Sequence, residues 1–371
     1  MSDGQSADSP SVVDLLREWY HVPALVAVFA VMLWMRLQRM DAFTVDGTVY
    51  FDGNDAWYHL RQVNYTVQNW PFTMPYDPWT YFPYGTNAGQ FGTIYDQLIA
   101  TAALVVGLGS PSEGTVAMTL LVAPAVFGAL AAFPTYYIGK RLGGRLAGVF
   151  GAVVLMLLPG GFLRRTLVGF ADHNAAEPFF MAVAVGAFLV ALAVVEADRP
   201  IWELVEARDF DPLRRSALWS VLAGVAMALY LYAWPPGVIL VGAVGIFLLL
   251  KETSDFVHGD SPDHVAFAGV VAMVTTAILM VVPFDTAGFG VTDYSYLQIL
   301  FPLGVAAGAA FLAGLARVWE SRDVDTRGYP VAVGASVLVA AGLFAVVFPD
   351  GFDTIAFNLQ RTVGFSAGAE T

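Results

Sequence analysis

Cysteine is absent from all 371 residues, which excludes disulfide staples, thiol nucleophiles and cysteine-ligated zinc. Lysine occurs only at Lys140 and Lys251, and charged residues make up 13% of the chain. With 31 acids against 18 bases the formal net charge is −13, which argues against nucleic acid as a partner. A carboxylate-rich, lysine-poor exterior stays hydrated in concentrated salt, so loops facing brine are expected, as in a halophile. Ionisable residues are also scarce within the long apolar runs, which argues against a transporter path lined by charge. What the chain has in excess is hydrocarbon: 57% of residues are hydrophobic and the mean hydropathy is +0.63. No soluble domain needs so much, and the runs are long enough to cross a bilayer.

Apolar stretches at 20–38, 114–139, 145–160, 175–196, 216–234, 237–251, 264–283, 296–317 and 330–348 predict an all-α, polytopic transmembrane helical bundle of about nine spans. A tenth stretch, 94–109, is bounded by Asp96 and the GSPSE break and is short for a crossing. It reads as an interfacial or re-entrant segment within a long first extracellular loop, about 39–113. Residues 1–19 are polar, lack the basic region of a signal peptide, and read as a cytosolic lead. Residues 20–348 form the transmembrane part, and 349–371 begin a late extracellular loop. The connector 197–215 carries mixed charge and reads as solvated, without chemistry.

Basic residues set the orientation. With the N-terminus inside, twelve of the 18 face the cytosol and six (Arg36, Arg39, Arg61, Arg164, Arg165 and Arg361) face out, as the positive-inside rule requires. Arg36 and Arg39 follow the first span and argue the other way. Arg36 is expected to snorkel along its helix to the interface. This topology predicts a multi-pass cell-membrane protein in which Asp55, Asp172 and Glu370 all emerge on one extracellular face. In the first outer loop, Pro71, Pro75, Pro78 and Pro83 break any continuous helix, and Trp70, Trp79, Tyr81 and Tyr84 suit an interface belt or the wall of a lipid-substrate groove.

Two acidic windows carry the candidate chemistry: GNDAWYHLR around Asp55 and RRTLVGFADHNAAE around Asp172. Carboxylates beside hydrocarbon are costly unless a cation pairs with them. Asp55, Asp172 and Asn174 offer the oxygen ligands that Mg²⁺ and Mn²⁺ prefer, and His59, His173 and Glu177 are secondary candidates, since Mn²⁺ also accepts imidazole. Taken alone, Asp172 also reads as a helix N-cap, and Asp55 as a solvated loop residue.

These windows, their order and the span layout resemble the catalytic subunit of oligosaccharyltransferases in its archaeal form, a family of the GT-C class of multispan glycosyltransferases. Gly53-Asn54-Asp55 matches the family's first acidic motif, and Asp172-His173-Asn174 its second. Arg165 matches an Arg seven residues upstream of the latter, and Ala367-Gly368-Ala369-Glu370 occupies the place of a third motif that ends in Glu. Two features depart from the pattern: the neutral Asn174 at the third position of the second motif, and a third motif reduced to its Glu. The family's outer globular domain, which bears the motif that reads the acceptor Ser or Thr, is not found in these residues, so the chain reads as a partial copy.

The resemblance implies transfer of an oligosaccharide from a dolichyl phosphate or diphosphate to Asn in Asn-x-Ser/Thr of an acceptor polypeptide at the bilayer. Asp55 and Glu370 would serve as catalytic carboxylates hydrogen-bonded to the acceptor amide. A Mn²⁺ or Mg²⁺ ion would be held by Asp55, Asp172 and Asn174, and Arg165 would contact the lipid phosphate. Alternatives are another GT-C enzyme using a polyprenyl-phosphate sugar, a transporter, or an inactive structural membrane subunit.

Overall fold

The computed structural model describes residues 18–197, 201–322 and 324–364. The first long described helix, α1 (His21–Leu37), packs on α4 (Glu113–Leu130) and α5 (Ala132–Leu157). Between α1 and α4 a long loop carries α2 (Asp55–Asn69), α3 (Ile94–Val106) and two small antiparallel hairpins. These are β1 (Thr44–Val45) with β2 (Thr48–Val49), and β3 (Tyr76–Asp77) with β4 (Thr86–Asn87). After α5 come the short α6 (Gly161–Arg165), then α7 (Glu177–Ala197), α8 (Ile201–Glu206), α9 (Leu213–Ala233) and α10 (Val238–Val257). They are followed by α11 (Asp263–Met280), α12 (Tyr296–Ser321), α13 (Tyr329–Val347) and α14 (Pro349–Val363).

Among the described residues, seven helical segments are long and apolar enough to cross a membrane, by length and composition. The first of them, Glu113–Leu157, is two predicted spans in one. Helix α5 breaks at Gly143 (φ −150°) and Gly144 (φ 80°, ψ −177°), a conformation that side chains other than glycine disfavour. The chain then folds back on itself, so that a Cβ on Gly148 would fall 2.6 Å from the Tyr136 carbonyl oxygen. Helix α1, with 17 residues, is shorter than the usual crossing but wholly apolar through its middle. The structure is thus the expected all-α, multi-pass membrane bundle.

Helix packing follows the rules of a lipid solvent, where close backbone approach replaces the hydrophobic drive. Helix α9 lies between α7 and α11, and α11 in turn packs along α12. At the α9–α11 contact a Cβ on Gly224 would meet the Ala272 carbonyl at 2.3 Å, and Thr276 Oγ1 donates to the Gly224 carbonyl at 3.2 Å. The outward faces stay apolar: Leu146, Phe150, Leu338 and Val346 are exposed, as lipid contact requires.

Three expectations change. The connector 197–215 is not merely solvated. Ile201 and Leu213 are buried with Val195 and Ala268, and Trp202 lies under the Arg317 guanidinium at 5.2 Å. Arg36 does not snorkel. It is fully buried, its Nε donating to Thr166 Oγ1 at 2.8 Å, its Nη1 donating to the Met32 carbonyl at 3.1 Å, and its guanidinium stacked 5.2 Å over Phe162. It turns inward because the 161–172 segment supplies the Thr166 hydroxyl as acceptor and the Phe162 ring as a π face, tying α1 to the loop that carries Asp172. Residues 349–363, expected as loop, are helical in α14.

The proline-rich stretch after α2 is held by a partly buried ion pair at the β3–β4 hairpin. Arg61 grips Asp77 with two bonds, Nη2 to Oδ2 at 2.6 Å and Nε to Oδ1 at 3.2 Å. Asp77 also accepts from Thr80 Oγ1 at 2.6 Å and from the Trp79 N–H at 3.1 Å. Burial alone would raise its pKa, but these donors hold it below the usual carboxylate value. The loop thereby presents Trp70, Trp79, Tyr81 and Tyr84, all exposed, on the outside of the fold.

Candidate active site and metal centre

Asp55 is the first residue of α2 and is exposed there, where the orphan N–H groups of the first turn favour negative charge. The turn before it is docked on the distant second window: the Asp52 N–H donates to the Gly169 carbonyl at 3.0 Å. Next to it, the Val168 N–H donates to the Arg36 carbonyl at 3.1 Å, so α1, α2 and the segment leading to Asp172 meet at one place.

Asp172 lies just before a short 3-10 turn, His173–Ala175, and caps it by accepting from the Asn174 N–H at 3.3 Å. Asp172 thus caps this turn and not the helix that follows from Glu177, and the cap accounts for only part of its environment. Asp172 is 3% exposed, and its carboxylate meets His173 Nδ1 at 2.7 Å, His59 Nε2 at 3.5 Å and Asn174 Nδ2 at 2.5 Å. Burial opposes its ionisation, but the hydrogen bonds from His173 and His59 outweigh that and hold the carboxyl well below its usual range.

Asp55 and Asp172 line a single cavity of about 30 Å³ together with Asp52, Gly53, Asn54, Ala56 and Phe170. That volume suits one small ion or water. On the other side of Asn174 a cavity of about 270 Å³ is lined by Gly161, Phe162, Arg164, Arg165, Asn174, Glu177 and Pro178. Arg165 is exposed, and its Nη1 donates to Asn174 Oδ1 at 3.1 Å. Asn174 is thereby engaged at both ends, its oxygen toward Arg165 and its nitrogen toward Asp172. Glu177, half-buried at the start of α7, faces this second cavity.

The sequence windows thus meet, though 117 residues separate Asp55 from Asp172. His59, His173 and Asp172 form the one group among the described residues whose donor atoms all lie within 4.8 Å and suit a metal ion. Carboxylate, amide and imidazole donors fit a hard or borderline divalent cation. Glu370 lies outside the described residues.

Asp96 escaped the sequence reading. It sits in the first turn of α3, is 1% exposed, and its Oδ1 lies 2.8 Å from His59 Nδ1. Burial would discharge the His59 imidazole, but Asp96 and Asp172 on either side raise its pKa to about 10. The available signal was the periodicity of α2: Ala56, His59, Val63 and Thr66 recur at helical spacing and share its buried face. That places His59 inward, where only a charged or polar partner satisfies it.

These features define a multi-pass membrane protein with an acidic site between the long loop after α1 and the segment that precedes a later span. A family model described as the N-terminal part of oligosaccharyl transferase STT3 matches residues 24–349, and the chain belongs to that family. It is 64% identical over 371 residues to the dolichyl-monophosphooligosaccharide–protein glycotransferase AglB of Haloferax volcanii, in keeping with the salt-adapted composition. That match covers all of this chain and 35% of the relative, so the chain spans about a third of the relative's length. Among solved structures, AglB of Archaeoglobus fulgidus with an inhibitory peptide and dolichol-phosphate superposes with a TM-score of 0.80 at 26% identity, over 94% of this chain and 39% of that one. The A. fulgidus enzyme in complex with Zn and sulfate gives 0.76 at 27% identity, over 87% and 40%.

Proposed function

We propose that this chain forms the membrane-embedded catalytic part of an oligosaccharyltransferase, moving a glycan from a dolichyl phosphate or diphosphate to the side-chain nitrogen of Asn in Asn-x-Ser/Thr. The observation that carries this reading is the shared cavity of Asp55 and Asp172, coupled through Asn174 to the Arg165 cavity beside it. One small space suits a cation, and the adjoining one suits a phosphate with a guanidinium on its wall.

In the reaction the bond from the sugar anomeric carbon to the carrier phosphate oxygen breaks, and a bond from that carbon to the acceptor amide nitrogen forms. The amide N–H proton passes through Asp55, its hydrogen-bond acceptor, to solvent, and the carrier keeps the bonding electron pair as phosphate charge. The acceptor nitrogen is a weak nucleophile because its lone pair is delocalised into the carbonyl. Exposed at the mouth of its cavity, Asp55 accepts a hydrogen bond from the amide N–H and weakens that delocalisation. Glu370 is proposed as the second such acceptor. Arg165 binds the leaving phosphate, and Asp172 with Asn174 fixes the wall between the two cavities. Asp55 and Asp172 would hold a Mn²⁺ or Mg²⁺ ion, which when bound would supply Lewis-acid stabilisation of the charge that builds on the phosphate. The site is proposed to open on the extracellular face of the cell membrane, toward secreted acceptor chains.

The test is an assay of membranes containing the protein, with dolichyl-linked oligosaccharide, an Asn-x-Thr peptide and saturating Mn²⁺. The same assay on the full-length relative carries Asp55→Ala and Asp172→Ala. Loss of about 100-fold or more in turnover is expected for each, the scale of removing a preorganised charge from a transfer site. Undiminished turnover in either variant would remove that residue from the site.

A further inference from the structure

Asp96 has no role in the transfer described above, yet it is an almost fully buried carboxylate whose ring partner faces Asp172. The cluster crosses three chain segments: Asp96 opens α3, His59 sits one turn into α2, and Asp172 precedes α7. His59 stands between the two acids, Nδ1 at 2.8 Å from Asp96 Oδ1 and Nε2 at 3.5 Å from Asp172 Oδ1. Its Nε2 also lies 3.3 Å from His173 Nδ1, which itself meets the same Asp172 oxygen. His59 and Asp96 are each 1% exposed, and neither is among the residues lining the small cavity. Asp172 therefore has two sides: one opens on the cavity it shares with Asp55, and the other is backed by the imidazoles.

We propose that Asp96 and His59 are a buried positioning pair that fixes the Asp172 carboxylate toward the cation cavity. The inference rests on the reading that a divalent cation binds between Asp55 and Asp172. Asp96 fixes the ring orientation of His59 by binding Nδ1, which leaves Nε2 no face but that of Asp172 and His173. Asp172 is thereby held at Oδ1 by imidazoles and at Oδ2 by Asn174, and its rotation about the Cα–Cβ and Cβ–Cγ bonds is blocked. A carboxylate behind an imidazole behind a ligand is the outer-shell arrangement whose loss weakens metal sites about 10- to 100-fold. Compensation for burying Asp96 in an apolar helix comes from this ion pair, which accounts for an acid at a position that hydropathy alone would fill with a hydrophobe.

The experiment measures Mn²⁺ binding to the purified chain in detergent, by the loss of the free-ion electron paramagnetic resonance signal and by nitrogen couplings to the bound ion. Wild type is expected to bind Mn²⁺ without a coupling assignable to His59. Asp96→Asn and His59→Gln are expected to weaken binding about 10- to 100-fold. Raised Mn²⁺ then restores transfer by Asp96→Asn in the full-length relative, which a globally unfolded variant would not show. Should His59→Gln fail to fold, the near-isosteric Asp96→Asn carries the comparison. Wild-type affinity in folded Asp96→Asn overturns the proposal. A nitrogen coupling that vanishes in His59→Gln also overturns it, by making His59 a ligand rather than a support. If wild type binds no Mn²⁺, the metal reading itself fails and this inference falls with it.

Discussion

Arg165 reaches Asp172 through the Asn174 amide, which accepts from the guanidinium at 3.1 Å and donates to the carboxylate at 2.5 Å. The residue that lines the larger cavity is thereby coupled to the one that lines the smaller. Asn174→Ala breaks both bonds and is expected to raise the KM for the lipid-linked donor more than it lowers kcat. Asn174→Asp keeps an acceptor for Arg165 but sets a second carboxylate against Asp172. It is expected to tighten Mn²⁺ binding and to lower the melting temperature when the cation is chelated. Titration with Mn²⁺ and thermal unfolding in EDTA check the two effects, and unchanged Mn²⁺ affinity would count against a cation at Asp172.

The buried Arg36 gives an ordering of variants. Lysine brings the same charge without the planar fork that spans Thr166, the Met32 carbonyl and the Phe162 ring. Methionine removes the charge and fills the stem, and Thr166 keeps its own bond to the Phe162 carbonyl at 2.7 Å. Arg36→Lys should therefore destabilise by about 3–5 kcal/mol, as an ill-paired buried charge does, and Arg36→Met by clearly less. Thermal unfolding in detergent decides, and the reverse order would contradict the account.

Asp77 supplies a pH dependence whose sign follows from its partners. Its pKa is depressed in the folded protein, so its contribution is present above the unfolded carboxylate value near 3.9 and is lost as pH falls through the lower folded value. The aromatic stretch 71–92 should loosen first in acid. Asp77→Asn should loosen it at neutral pH, at a cost of about 2 kcal/mol for the charged hydrogen bonds. Hydrogen exchange in that stretch is the measurement; protection that persists in the variant would show another anchor.

Far from this site, Glu252 in α10 is fully buried with neither carboxylate oxygen bonded among the described residues. Unlike Asp263, which pairs with Arg317, it has no basic partner among the described residues. Glu252→Met keeps the volume and removes the unpaired polar group, so the melting temperature should rise by a few degrees. A fall would mean that Glu252 holds something in the native protein.

The all-α fold, the multi-pass character and the two acidic windows that meet in the fold were legible in the chain, because hydropathy runs and local motifs are local properties. A break at Gly143-Gly144 was legible too, as a gap between two apolar stretches. What residue order alone left undecided is everything that depends on contacts between distant segments. Asp172 is a cap in its own turn and a buried acceptor for His59, which lies 113 positions earlier. Asp96 reads as the boundary of an apolar stretch and becomes the partner of that histidine once α3 packs on α2. Arg36 reads as a flanking charge and turns inward because the 161–172 segment offers it the Thr166 hydroxyl and the Phe162 ring. Hydrophobic periodicity chooses which face of a helix is buried, but the low dielectric of the packed interior decides which charges must find each other there, and only tertiary structure brings those charges within reach.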